Sequence, residues 1–249
     1  MSPAPLQIFV FVATSAGAGL LVACTLPALF GQRCNRTYVV YGVGMFFLGI
    51  GLHSLIALPV VFLSHGVSAL LPFASRGSLH YRPWELVYYA FAAGIGQETA
   101  KAAPIWLEQK RTHGESLPPP FFWLGVSVGF GFSLGEILFL GVNAWQPHAS
   151  GVPSSALALG VLERFSATLF HLATAGLIAF GLERGKARVL LPLCVVLHSS
   201  LDGFAGLSSL SPVLPVLAEE LVVLGFSLAL LIAALWIARP PGPVETRRP

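Results

Sequence analysis

The sequence predicts an all-α protein, a polytopic transmembrane helical bundle of about seven spans that forms a single integral membrane domain over residues 1–239. Two observations carry this prediction. Apolar residues make up 55% of the 249 positions and charged residues 10%, with a mean hydropathy of +0.77. A soluble domain is nearer ~25% charged. The apolar residues also gather into stretches that approach or exceed the roughly 20 residues a helix needs to cross a bilayer.

The spans are read in order at about 5–30, 38–63, 84–108, 119–146, 155–181, 188–209 and 214–238. Short loops rich in Pro and Gly separate most of them. The longest connection, about 64 to 83, has a stretch from Ala69 to Phe73 that can dip into the interface. Trp84, Tyr88 and Tyr89 begin the third span as an interfacial aromatic belt would. Pro118-Pro119-Pro120 stops one helix and opens the fourth, since proline suits a first helical turn. That fourth span carries two small-xxx-small pairs, Gly125/Gly129 and Gly131/Gly135, which allow close helix approach. Gly135 precedes Glu136 and leaves room there for a partner or a water. Residues 240–249 are Pro-rich and are expected to form a disordered cytoplasmic tail.

Basic residues fix the expected orientation. Arg33, Arg36, Lys110, Arg111, Arg184, Lys186, Arg188, Arg239, Arg247 and Arg248 fall on one side, and only Arg76 and Arg82 on the other. The positive-inside rule then places the N-terminus outside and the C-terminus in the cytoplasm. That asymmetry accounts for the basic loops, which give no sign of nucleic-acid binding. No Lys or Arg precedes the first apolar run, so a signal-peptide n-region is not expected. Cys24, Cys34 and Cys194 have neither disulfide-framework nor zinc spacing.

The chemistry lies in what interrupts the apolar spans. A charge at the bilayer centre costs roughly 2.5–3.5 kcal/mol. Yet four spans carry ionisable clusters: Gln97-Glu98-x-x-Lys101, Gly135-Glu136, Glu163-Arg164 with His171, and His198-x-x-x-Asp202. These residues must face one another inside the protein, where a paired set of acids, bases and imidazoles is a functional-site hypothesis by default. Glu98 and Lys101 share a helix face and form an intrahelical pair. Glu136 has no basic neighbour on its own helix, so its partner comes from another. Arg164 requires a carboxylate from Glu98, Glu136, Glu163 or Asp202, and a structural clamp is its simplest role. His198 and Asp202 have the spacing of two ligands, or of a histidine and its orienting carboxylate. Glu219 and Glu220 read as interfacial, and His53 as a lone imidazole outside the site.

The order of these clusters resembles that of the YhfC family of intramembrane metalloprotease-like proteins. These are relatives of PrsW and of the CAAX prenyl protease and bacteriocin-processing (CPBP) group. The Leu162-Glu163-Arg164 to His171 segment is the closest match, and the resemblance covers about residues 85–208. It implies a helical bundle in a bacterial cytoplasmic membrane with a polar site inside the bilayer. That site would hydrolyse a peptide bond of a membrane protein or lipidated peptide. Glu98, Glu136, His171 and His198 would form its core, with Asp202 orienting His198, and Glu163 and Arg164 ordering the site. Gln97 and Lys101 are supporting residues, and His171 and His198 are candidate ligands of a zinc ion. Two positions depart from the pattern. Gln97 replaces the first glutamate, the favoured water activator of the relatives, and Ser133 stands where relatives can carry a histidine. The same residues also suit a proton-coupled transporter, or a catalytically inactive scaffold.

Overall fold

The computed structural model describes residues 3–65, 82–112, 121–144, 154–208 and 215–239. The segment 66–81 with Ala69–Phe73, the Pro118–Pro120 run and the tail 240–249 lie outside the described residues. Seven helices account for almost all of the described chain: α1 (Pro3–Leu29), α2 (Arg36–His65), α3 (Pro83–Arg111), α4 (Phe121–Ala144), α5 (Ser154–Glu183), α6 (Ala187–Ser208) and α7 (Val216–Ile237). Each coincides with an expected span to within a few residues.

Six of the seven are long and apolar enough to cross a membrane, which makes this a multi-pass integral membrane protein. Helix α3 is the exception among the seven expected spans. It has the length, but Glu85, Glu98, Lys101, Glu108, Lys110 and Arg111 make it too polar. Its polar residues are divided by position. Glu98 and Lys101 are fully buried, whereas Lys110 and Arg111 occupy the last turn, where cations oppose the helix dipole favourably.

The helices run alternately up and down. Gly125 lies against Ala175 and Gly129 against His171, so α4 and α5 are antiparallel. Gly94 faces Val195 and Ser199, while Gly206 faces Leu86, so α3 and α6 are antiparallel as well. Gly42 meets α4 at Gly131 and Val128, and Phe46 meets it at Gly135, so α2 and α4 run together. One face of the bundle therefore holds the starts of the odd-numbered helices and the ends of the even-numbered ones. The other holds Arg33, Arg36, Lys110, Arg111, Arg184, Lys186 and Arg188.

Helix α5 is the hub and packs on α1, α3, α4, α6 and α7. The small-residue pairs of α4 have two different jobs. Gly125 and Gly129 seat α5, while Gly131 and Gly135 seat α2. The space left by Gly135 is taken by the Phe46 ring, rather than by a polar partner or a water. Toward the basic face the centre is a continuous apolar core that includes Ile105, Leu124, Val126, Leu177, Ile178 and Cys194. Toward the opposite face the centre is ionisable.

Candidate active site

The four ionisable clusters meet. Lys101 on α3 donates from Nζ to three acceptors: Glu98 Oε1 at 2.6 Å, Thr174 Oγ1 at 2.9 Å and His171 Nδ1 at 3.1 Å. An ammonium has three N–H bonds and no lone pair, so Lys101 is saturated. It also sets the His171 tautomer. With Nδ1 accepting, the ring proton lies on Nε2, which faces Glu136 Oε2 at 3.3 Å. Glu136 Oε2 in turn lies 2.8 Å from Arg164 Nη1, an ion pair without hydrogen-bond geometry. Arg164 Nη2 donates to Glu163.

On the other side of Glu98, Oε1 also receives His198 Nδ1 at 2.5 Å. His198 Nε2 faces Asp202 Oδ2 at 3.4 Å. The whole is one linked series: Asp202, His198, Glu98, Lys101, His171, Glu136, Arg164, Glu163. Every residue expected in the site, apart from Gln97, is a member.

The series is buried at its middle and exposed at both ends. Glu98 and Lys101 have no exposed side-chain surface, whereas Asp202 is 39% and Glu163 49% exposed. Both ends open toward the same face. At 1.5 Å per residue, Asp202 lies about 9 Å from the end of α6, and Glu163 about 14 Å from the start of α5. His171 lies about 26 Å along α5 from that face.

Helix packing explains the depth and rotation of each group. Gly129 lets α4 touch the His171 carbonyl, and Gly94 brings α3 against the turn of α6 just before Ser199. Phe132 and Phe170 wall the imidazoles, with ring centroids 5.0 Å from His171 and 5.2 Å from His198. Apolar rings around hydrogen-bonded charges strengthen their mutual attraction and keep them from water.

Several atoms among the described residues are left over. Glu98 Oε2, Gln97 Oε1 and Arg164 Nε are buried without a hydrogen-bond partner. Glu98 Oε2 matters most, because the other oxygen of the same carboxylate takes both of its bonds. Gln97 is thus beside the series without joining it. Ser133 bonds Thr168 at 2.5 Å, and Thr168 bonds the Arg164 carbonyl at 2.8 Å, so that position supports the backbone of α5. Cys194 Sγ lies 3.7 Å from the Thr174 carbonyl and belongs to the apolar core.

Two groups outside the expected set border the site. His53 on α2 is within electrostatic range of Asp202 and His198. Glu220 on α7, read from sequence as interfacial, is 9% exposed and feels both Glu163 and Arg164. The missed signal was its partner: α7 packs on α5, and a glutamate one turn into α7 then meets the mouth of the site.

Glu98, His171 and His198 each offer a ligand atom, all within 4.8 Å of one another, and could hold a metal ion. Two imidazoles and a carboxylate are donors that zinc accepts. Lys101 opposes this. Its ammonium already occupies Glu98 Oε1 and His171 Nδ1, two of the three ligand groups. The fully buried Glu98 carboxylate already has the Lys101 ammonium as its counter-charge without a metal. With the ammonium in place, the side chains do not fit a divalent cation.

No family model matches the chain, and no curated protein or solved structure matches it.

Proposed function

We propose that the protein is an intramembrane hydrolase, a peptidase that cleaves a membrane-associated protein or lipidated peptide, as its resemblance to the YhfC group implies. The observation that supports this reading best is Glu98 Oε2: a buried carboxylate oxygen with no partner, on a carboxylate whose other oxygen is pinned by Lys101 and His198. A base held in this way has its orientation fixed and one lone pair free for a water.

In this reading Glu98 Oε2 takes a proton from water as the water oxygen adds to the carbonyl carbon. Glu98 Oε2 then gives that proton to the leaving nitrogen as the C–N bond breaks, which returns Glu98 to its carboxylate. His198 Nδ1, 2.5 Å from Oε1, holds the carboxylate in place throughout. Asp202 orients His198 from its far nitrogen, and the negative charge on the carbonyl oxygen develops in the field of Lys101 and Arg164. Glu98 thereby takes the role that Gln97, one residue earlier, has lost relative to the family pattern.

Proton relay is the second reading, and the linked series of ionisable groups favours it. Its weakness is direction. Both exposed ends lie toward one face, and Ile105, Val126, Leu177 and Ile178 fill the way to the other. A polar series closed toward one face suits hydrolysis better than transport.

The test is cleavage in proteoliposomes of internally quenched peptides, one set acylated and one carried on a single apolar helix. Hydrolysis by the wild type, lost in Glu98→Gln while the fold is kept, is the expected result. A folded wild type that cleaves neither set, yet carries protons down an imposed pH gradient, would overturn the proposal in favour of the relay.

A further inference from the structure

We infer that Lys101 is the resident cation of this site, and that its ammonium holds the place a metal ion would take among Glu98, His171 and His198. The inference concerns the same residues as the proposed hydrolysis but not the reaction, so either can fail without the other.

Three observations lead to it. The three ligand groups lie within 4.8 Å of one another, as they would around an ion. Lys101 Nζ contacts two of them, at 2.6 Å and 3.1 Å, and directs its third hydrogen to Thr174. Lys101 itself has no exposed surface, and its Nζ lies over the Phe132 and Phe170 rings, 5.2 Å and 6.0 Å from their centroids. The ammonium is enclosed, saturated and matched in charge, and it has no solvent to retreat into. A lysine whose only purpose was to neutralise Glu98 would need one contact. This one also fixes the proton of His171, which a metal ligated at Nδ1 would do equally well.

The chemical consequence is a latent metal site. Removing the ammonium while keeping the length of the side chain leaves two imidazoles and a carboxylate with no cation between them. Metal affinity should then tighten by on the order of a thousandfold for each unit of the ion's charge, the effect of removing a unit like charge at ~4 Å.

The experiment uses full-length protein purified in detergent without chelator, incubated with excess zinc, desalted and assayed for metal by mass spectrometry. Wild type is compared with Lys101→Met, Lys101→Met/His198→Ala and His171→Ala, with monodispersity and thermal unfolding reporting the fold. The expected result is trace zinc in the wild type, near-stoichiometric zinc in Lys101→Met, and its loss again in the double variant. Near-stoichiometric zinc in the wild type that is lost in His171→Ala would overturn the inference. So would a folded Lys101→Met that keeps no zinc. If Lys101→Met does not fold, Lys101→Leu replaces it, and the wild-type measurement decides by itself whether a metal is resident.

Discussion

His171 and His198 are equally buried, each 3% exposed, and their rings are 5.6 Å apart. Their wiring is opposite. His198 stands between two carboxylates, Glu98 and Asp202, so each ring nitrogen faces an acceptor. His171 stands between an ammonium and a carboxylate, so one nitrogen must accept and the other donate. One is arranged to face an acceptor with both nitrogens, the other to hold a fixed tautomer. Chemically identical side chains at similar depth have therefore been given different work by the charge of a single neighbour, Lys101 in one case and Asp202 in the other.

The largest break in this contrast comes from Glu98, which belongs to both arms. Glu98→Ala strands the Lys101 ammonium without a carboxylate and takes the Nδ1 partner from His198. Removing one member of a buried ion pair costs about 3–5 kcal/mol, so a large fall in the thermal unfolding midpoint in detergent is expected. Glu98→Gln keeps the volume and one acceptor. It should cost less stability yet abolish any hydrolysis. If Glu98→Ala unfolds at the wild-type temperature, the contacts of the Lys101–Glu98 pair to α5 and α6 are not holding the helices together.

Next in size is the His171 arm. Arg164→Met leaves Glu136 with His171 alone. Glu136 keeps a fifth of its side chain exposed, so solvent softens the loss, and about 1–3 kcal/mol is expected. A comparable cost is expected for Gly129→Leu, because the new side chain would push against the His171 carbonyl. Overpacking of this kind costs about 1–3 kcal/mol, and the displaced His171 should lose its contact with Lys101. Gly17, where a Cβ meets nothing, is the control: Gly17→Ala should be near neutral. Equal effects at the two glycines would mean that close approach does not place His171.

These contrasts show what was legible in the sequence. The spans were plain, because long, mostly apolar runs bounded by Pro, Gly and basic residues have few other readings. Pairs within one helix were equally plain, because positions three or four residues apart share a face: Glu98 with Lys101, His198 with Asp202. That Glu136 must look outside its own helix for a cation followed from its empty neighbourhood. Which of four acids takes Arg164 did not follow, since all lie at similar depth. The answer depends on the rotation of α4 against α5, which Gly125 and Gly129 set by backbone contact. Lys101 reading across to His171 and Thr174 was hidden for the same reason. Glu220 was missed because a glutamate one turn into a span looks interfacial until the neighbouring helix is known.

The smallest effect expected is at Asp202, and it sharpens the contrast most. Asp202 is 39% exposed and 3.4 Å from His198 Nε2, so solvent screens the pair, and Asp202→Asn should change stability by less than about 1 kcal/mol. Its effect on turnover should be larger in proportion, a fall of roughly 10–100-fold if orienting His198 is its role. The informative measurement is a cycle with Thr174→Val, which removes an acceptor from Lys101 on the other arm. Groups in one hydrogen-bonded network couple by roughly 0.5–3 kcal/mol, whereas distant independent sites add to within about 0.5 kcal/mol. Asp202 and Thr174 touch nothing in common directly, but the route through His198, Glu98 and Lys101 links them. Coupling in turnover, with additive unfolding midpoints, would show the two arms acting as one device in the reaction. Additivity in both would leave His198 with Glu98 as a self-sufficient pair, and reduce the Lys101–His171 arm to scaffolding.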